Sequence, residues 1–108
     1  MKDDKLYLIH IRECILRIEE YLGGGGKEVF IASNMVQDAI IRNLQMLSES
    51  AMRLSDEMQA SHPEVEWFKI RGFCNVLVHD YLGVDLERVW NILENDLSKL
   101  KTAVEKML

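Results

Sequence analysis

Apolar residues recur three and four positions apart along most of the chain, the spacing that keeps side chains on one face of an α-helix. Leu8, Ile11, Ile15, Ile18 and Leu22 predict a first helix over about 3–21. The glycine run 23–26 stops it, because consecutive glycines hold a helix poorly. A second helix is expected from Ser33, a good N-cap, with Ile40, Leu44, Leu47, Ala51, Leu54 and Met58 on its stripe. Ser61-His62-Pro63 ends it. A third, over about 66–81, carries Trp67, Ile70, Cys74, Leu77 and Tyr81, and Gly83 breaks it. The fourth starts at Asp85 as N-cap. Leu86, Val89, Leu93, Leu97, Leu100, Val104 and Met107 run along it to the C-terminus. No segment alternates as a strand does over more than a few residues. The fold class is all-α, a bundle of four to five helices with short antiparallel connections, in a single domain over 1–108.

Composition changes this picture little. At 108 residues, 48% hydrophobic and 29% charged, the chain has the balance of a soluble globular domain. No apolar run approaches a membrane span. The start, MKDDKLYLIH, is too polar for a signal peptide. Cys14 and Cys74 lack metal-ligand or disulfide-framework spacing, so a reducing cytoplasmic location is expected. The net charge of −5 matters more. Nucleic-acid binders gain affinity by neutralising phosphates. An RNA contact here needs a local basic patch, or one assembled by two chains.

Fold class alone does not choose a function. The Glu-x-x-His pairs of a di-iron bundle are absent from the sequence, and GGGG lacks the Lys-Ser/Thr of a phosphate loop. No metal or cofactor is expected. The stretch "RGFCNVLVHDY", residues 71 to 81, does carry chemistry. On a helix Arg71, Asn75 and His79 form one stripe. His79 suits proton transfer near neutral pH. Arg71 offers a permanently charged fork for phosphate, and Asn75 can orient either neighbour. His plus Arg is enough to cleave RNA without metal. On composition alone a hydrogen-bonded helix end is the better explanation of the same residues.

The run "IRGFCNVLVHDYLGVDLERVW" resembles the signature of HepT-like proteins of the HEPN superfamily, Arg-Asn-x-Leu-x-His-x-Tyr followed by Val-Asp. Asn75, Leu77, His79, Tyr81, Val84 and Asp85 match. "IIRNLQMLSESAMRLS", residues 40 to 55, is similar to a second family segment through Arg42, Asn43, Leu44 and Glu49, with Ser48 where Gly is usual. The resemblance implies the toxin of a two-gene toxin–antitoxin module: a metal-independent endoribonuclease with tRNA as a reported type of target. It implies a homodimer whose two Arg-x(4–6)-His elements line a shared cleft. It also implies a minimal nucleotidyltransferase antitoxin of the MntA type, which transfers AMP from ATP to Tyr81. Negative charge beside the cleft would then exclude RNA.

The chain departs from the pattern where the family arginine should stand. Cys74 occupies that position, and a thiol supplies no permanent charge. Three readings follow: a substitution that disarms the toxin, a member whose nuclease has lapsed but which keeps its partner, or replacement of the charge by Arg71. The third is strained within one subunit, since Arg71 and His79 lie about 12 Å apart along a helix axis; a dimer could pair them across the cleft. The alternative function is a catalytically silent module that engages a nucleotidyltransferase.

The remaining candidates read as support. Glu49, flanked by apolar positions, is expected to pair with Arg42 or Arg71. Cys14 is expected in the packing of the first helix, and Met46, Met52 and Met58 as core filler. "ERVWNILENDLSKLKTAVEK" is expected to be a solvated helix face with an apolar stripe and no nucleic-acid patch.

Overall fold

A computed structural model of the chain describes residues 2–73 and 85–108. These form α1 (Lys2–Leu22), α2 (Gly26–Ala32), α3 (Asn34–Met52), α4 (Asp56–Ser61) and α5 (Trp67–Arg71). After residue 84 come α6 (Leu86–Asn91), a π-helical turn (Ile92–Asp96) and α7 (Leu97–Met107). The described residues contain no strand, as an all-α domain requires.

The core is built on α1 and α3. Leu8, Ile11, Ile15 and Ile18 of α1 and Ile40, Leu44 and Leu47 of α3 are all buried. Each contributes about 1.5–3 kcal/mol by leaving water. Two polar contacts fix the antiparallel register. His10 Nδ1 and Ser50 Oγ share a hydrogen bond of 3.1 Å. Farther along, Asp4 Oδ1 accepts from the Ser55 amide at 2.8 Å and Asp4 Oδ2 from the Ser55 hydroxyl at 2.6 Å. α7 packs on the other flank of α1 and is tied there by Lys101 Nζ to Glu19 at 2.9 Å.

The predicted ends of α1 and the predicted caps hold. Gly23 takes φ 57°, in the left-handed region, and its amide donates to the Glu19 and Glu20 carbonyls, closing α1. Ser33 Oγ accepts from the Val36 amide at 3.2 Å. Asp85 accepts from the amides of Glu87 and Arg88.

Three expectations need correction. Residues 26–32 form a helix of their own, α2, which seats Phe30 in the core against Trp90 with ring centroids 5.9 Å apart. The expected second helix is two helices, because α3 stops at Met52 and Ser55 caps α4 by accepting from the Met58 amide. The stripe hid this break, since Leu54 within it and Met58 after it still face inward. Finally, Met52 is 54% exposed and fills no core, whereas Met46 and Met58 pack against it.

The last helix contains one residue too many for a straight α-helix. From Val89 to Leu93 to Leu97 the apolar stripe steps by four twice. In an α-helix this drifts roughly 80° off the face. A π turn absorbs about one residue, so Val89, Leu93, Leu97, Leu100 and Val104 all stay buried.

Candidate functional site

The third predicted helix begins as expected. Trp67, Ile70 and Phe73 turn inward, and the Trp67 indole N–H donates to the His62 carbonyl at 3.1 Å. That anchoring turns Arg71, the last residue of α5, outward to solvent. Its backbone carbonyl accepts from Ser48 Oγ at 3.1 Å. Ser48 is fully buried on α3, so a small side chain there lets the end of α5 approach α3 closely. Its hydroxyl also satisfies a carbonyl that the short helix leaves open. Cys74, Asn75, Leu77, His79, Tyr81 and Val84 lie outside the described residues.

Glu49 and Arg42 sit elsewhere than the sequence suggested. Consecutive side chains leave a helix roughly 100° apart. Ser48 meets α5, and the exposed Glu49 faces away from it, into a groove between α1 and α3 of about 600 Å³. Tyr7, His10, Glu13, Arg42 and Arg53 line the same groove. Among the described residues no ion pair joins Glu49 to Arg42 or to Arg71. The expected pairing is therefore not made. The reason is that Glu49 reaches water and needs no partner to offset burial.

The electrostatics of the described residues are mostly structural. The Ser55 hydroxyl, then the Ser55 amide, hold the Asp4 carboxyl below its ordinary value. Burial pushes the Cys14 thiol up, so it stays protonated and serves as a small apolar group in α1, as expected. Lys69, one residue after the exposed Phe68, donates to Asp96 at the end of the π turn at 3.0 Å. This hydrogen bond and the carboxylate's charge raise the Lys69 ammonium above its usual value. Among the described residues no group of His, Cys, Asp and Glu could hold a metal ion. No described helix is long and apolar enough to cross a membrane. Among the described residues one buried side-chain polar atom has no hydrogen-bond partner, Asn43 Oδ1, while the Asn43 amide donates to the Ala39 carbonyl at 2.9 Å.

Comparison with known proteins assigns the chain as a whole. The HepT-like ribonuclease family matches residues 11–107. A Methanocaldococcus jannaschii protein named "Gamma-glutamylcyclotransferase and putative RNase" is 34% identical over 99% of this chain. The match takes in 48% of that relative, so the chain spans about half its length. A "Putative RNase" of the same organism is 30% identical over 96% of this chain and 95% of its own length. The "Probable ribonuclease HepT" of Thermococcus cleftensis is 31% identical over 98% of this chain and 96% of its own length. No solved structure matches. With an all-α fold and a family match that spans α1 to α7, the chain belongs to the HepT-like ribonuclease family of the HEPN superfamily.

Proposed function

We propose that the chain is the toxin of a toxin–antitoxin module, a cytoplasmic metal-independent endoribonuclease that acts as a homodimer on RNA, with tRNA as the target class. The family match over residues 11–107, which contains the His79 element, carries this reading. In the reaction, the His79 imidazole takes the proton of a ribose 2′-hydroxyl. The oxygen attacks the adjacent phosphorus and the 5′-oxygen leaves, taking a proton in turn. A cation must stabilise the charge gathering on the phosphate. Cys74 stands where the family has that cation, so cleavage by this chain is weak or absent. Asn75 orients His79, and Arg71, held exposed by the anchoring of α5, binds phosphate near the cleft. Arg42 and Glu49 line the α1–α3 groove and take no part in this step.

Regulation follows from Tyr81. A minimal nucleotidyltransferase of the MntA type transfers AMP from ATP to its hydroxyl and releases pyrophosphate. The added charge repels RNA. The second reading is a catalytically silent module that only engages this nucleotidyltransferase, and Cys74 is the observation in its favour.

One experiment separates them: cleavage of a tRNA pool with EDTA present, by this chain and by Cys74→Arg, each with and without His79→Ala. Cleavage by Cys74→Arg alone, abolished by His79→Ala, establishes the nuclease. No cleavage and no RNA binding by either chain rules it out in favour of the silent module. Incubation with the nucleotidyltransferase and ATP should add the mass of AMP at Tyr81; no added mass removes the regulatory part.

A further inference from the structure

The corner where α5 meets the π turn has features the fold does not need. Phe68 is 86% exposed, although Trp67, Ile70 and Phe73 already supply the inward face of this segment. It stands at a recess of about 380 Å³ between α5 and the last helix. Arg88, Asn91 and Asn95 line the opposite wall from α6 and the π turn. The Lys69–Asp96 ion pair, 3.0 Å long, bridges the two walls. The backbone at Asn91 and Asn95 is the stretch that the π turn widens, and such turns gather at functional positions. Arg88, Asn91 and Asn95 are exposed.

Charge adds to this. The chain carries −5 overall, yet among the described residues lining the recess Lys69 and Arg88 outnumber the carboxylate of Asp96, with Glu66 acting on Lys69 from outside it. Glu87, beside Arg88, is drawn away by an ion pair to Lys27 at 3.0 Å. The recess thus combines an exposed ring, two carboxamides and a guanidinium. Unpaired RNA is recognised by this combination: bases stack on aromatic rings, amides read their edges, and arginine takes the phosphate.

We propose that the recess between α5 and the π turn is a subsite for one unpaired nucleotide of an RNA strand. Phe68 stacks the base, Asn91 and Asn95 bond its edge or ribose hydroxyls, and Arg88 holds a phosphate. The proposal rests on the ribonuclease reading and deepens it. Gly72 and Phe73 also line the recess, and they immediately precede the sequence segment that carries Cys74, Asn75 and His79. A strand held here is held beside the start of that segment, with Arg71 one residue away. The preference is for single strands, because a base inside a duplex has both faces stacked on its neighbours and its pairing edge occupied.

The test is binding of a fluorescein-labelled 12-nucleotide single-stranded RNA, followed by anisotropy, to the whole chain. Phe68→Ala should weaken binding about 5- to 100-fold, Phe68→Trp should retain it, and neither should change affinity for an RNA duplex of the same length. Arg88→Gln should weaken binding and reduce its salt dependence by about one ion. Circular dichroism of each variant reports folding. Equal binding by wild type and Phe68→Ala overturns the subsite and leaves the ribonuclease reading standing. A change in molecular mass of Phe68→Ala by light scattering, with RNA binding intact, makes the ring a protein contact and also overturns it. If no chain binds RNA the subsite fails as well, and cleavage by Cys74→Arg then decides the ribonuclease reading by itself.

Discussion

The α1–α3 pair and the corner between α5 and the π turn are built by opposite means. α1 and α3 are long helices, 21 and 19 residues, locked by buried aliphatic rows and by polar contacts that set their register. α5 is five residues long. It is held by the buried Trp67 and Ile70, by the hydrogen bond from Ser48 to its last carbonyl and by the Lys69–Asp96 ion pair. It shows solvent a phenyl ring, a lysine and an arginine. The first region supplies cooperative stability. The second spends little of its surface on packing and leaves side chains free to meet a ligand. Regions of low contact density commonly carry function on a rigid neighbour.

Substitution should separate the two regions sharply. Leu44→Ala, at a fully buried position on α3, should cost about 2–5 kcal/mol of unfolding free energy, read by urea denaturation. A cost below about 1 kcal/mol would show that α1 and α3 are less tightly packed than described. Asp4→Ala should cost about 1–3 kcal/mol, because it leaves the amide and hydroxyl of Ser55 without their acceptor. Asp4→Asn should cost less at low pH than at neutral pH. The folded carboxyl lies below its ordinary 3.8, so its contribution is present above that value and is lost as the pH falls through the folded value. The gap between wild type and Asp4→Asn should therefore close below about pH 4. A gap independent of pH would assign the effect to packing.

Smaller effects are expected at the corner. Phe68→Ala should change stability by less than about 0.5 kcal/mol, as surface substitutions do, even where it removes RNA affinity. Deleting Asn95 should convert the π turn to ordinary α-helix and leave both flanking faces in register, with helix content by circular dichroism unchanged. Deleting Lys99 instead should swing Val104 roughly 100° from its face and unfold the last helix. Equal damage from the two deletions would contradict the account of the extra residue. The mildest expectation is chemical: Cys14 should resist thiol reagents until the chain unfolds, because burial raises its thiol and excludes reagent.

Much of this architecture was legible in the residues. The rows Leu8–Ile11–Ile15–Ile18 and Ile40–Leu44–Leu47–Ala51 name the helices that pack and the faces that meet. Ser33 and Asp85 mark two helix starts, since their side chains complete amides that any helix start leaves open. α2 escaped notice because glycines precede it and seven residues show too few periods of the pattern. The family was also legible. The motif around His79 led to the HepT-like family, which the match over 11–107 shows. Phe68, Asn91 and Asn95 gave no such signal. Each is an ordinary exposed residue until α5 and the last helix are brought side by side, and "ERVWNILENDLSKLKTAVEK" reads as a solvated face for that reason.

By itself, then, the sequence determined which faces are apolar, where two helices begin, and the family motif around His79. These are local properties, fixed by spacing and residue type within a few turns. Only the tertiary structure decided the rest. Asp4, fifty-one positions before Ser55, meets the start of α4 where the stripe alone would have run on as one helix. The core requires Val89 and Leu97 to share a face, and that requirement widens the helix into a π turn. The packing of α5 turns Phe68 and Arg71 outward and sets Glu49 apart from them. Each outcome depends on a contact between residues far apart in the chain, whose energy no local pattern records.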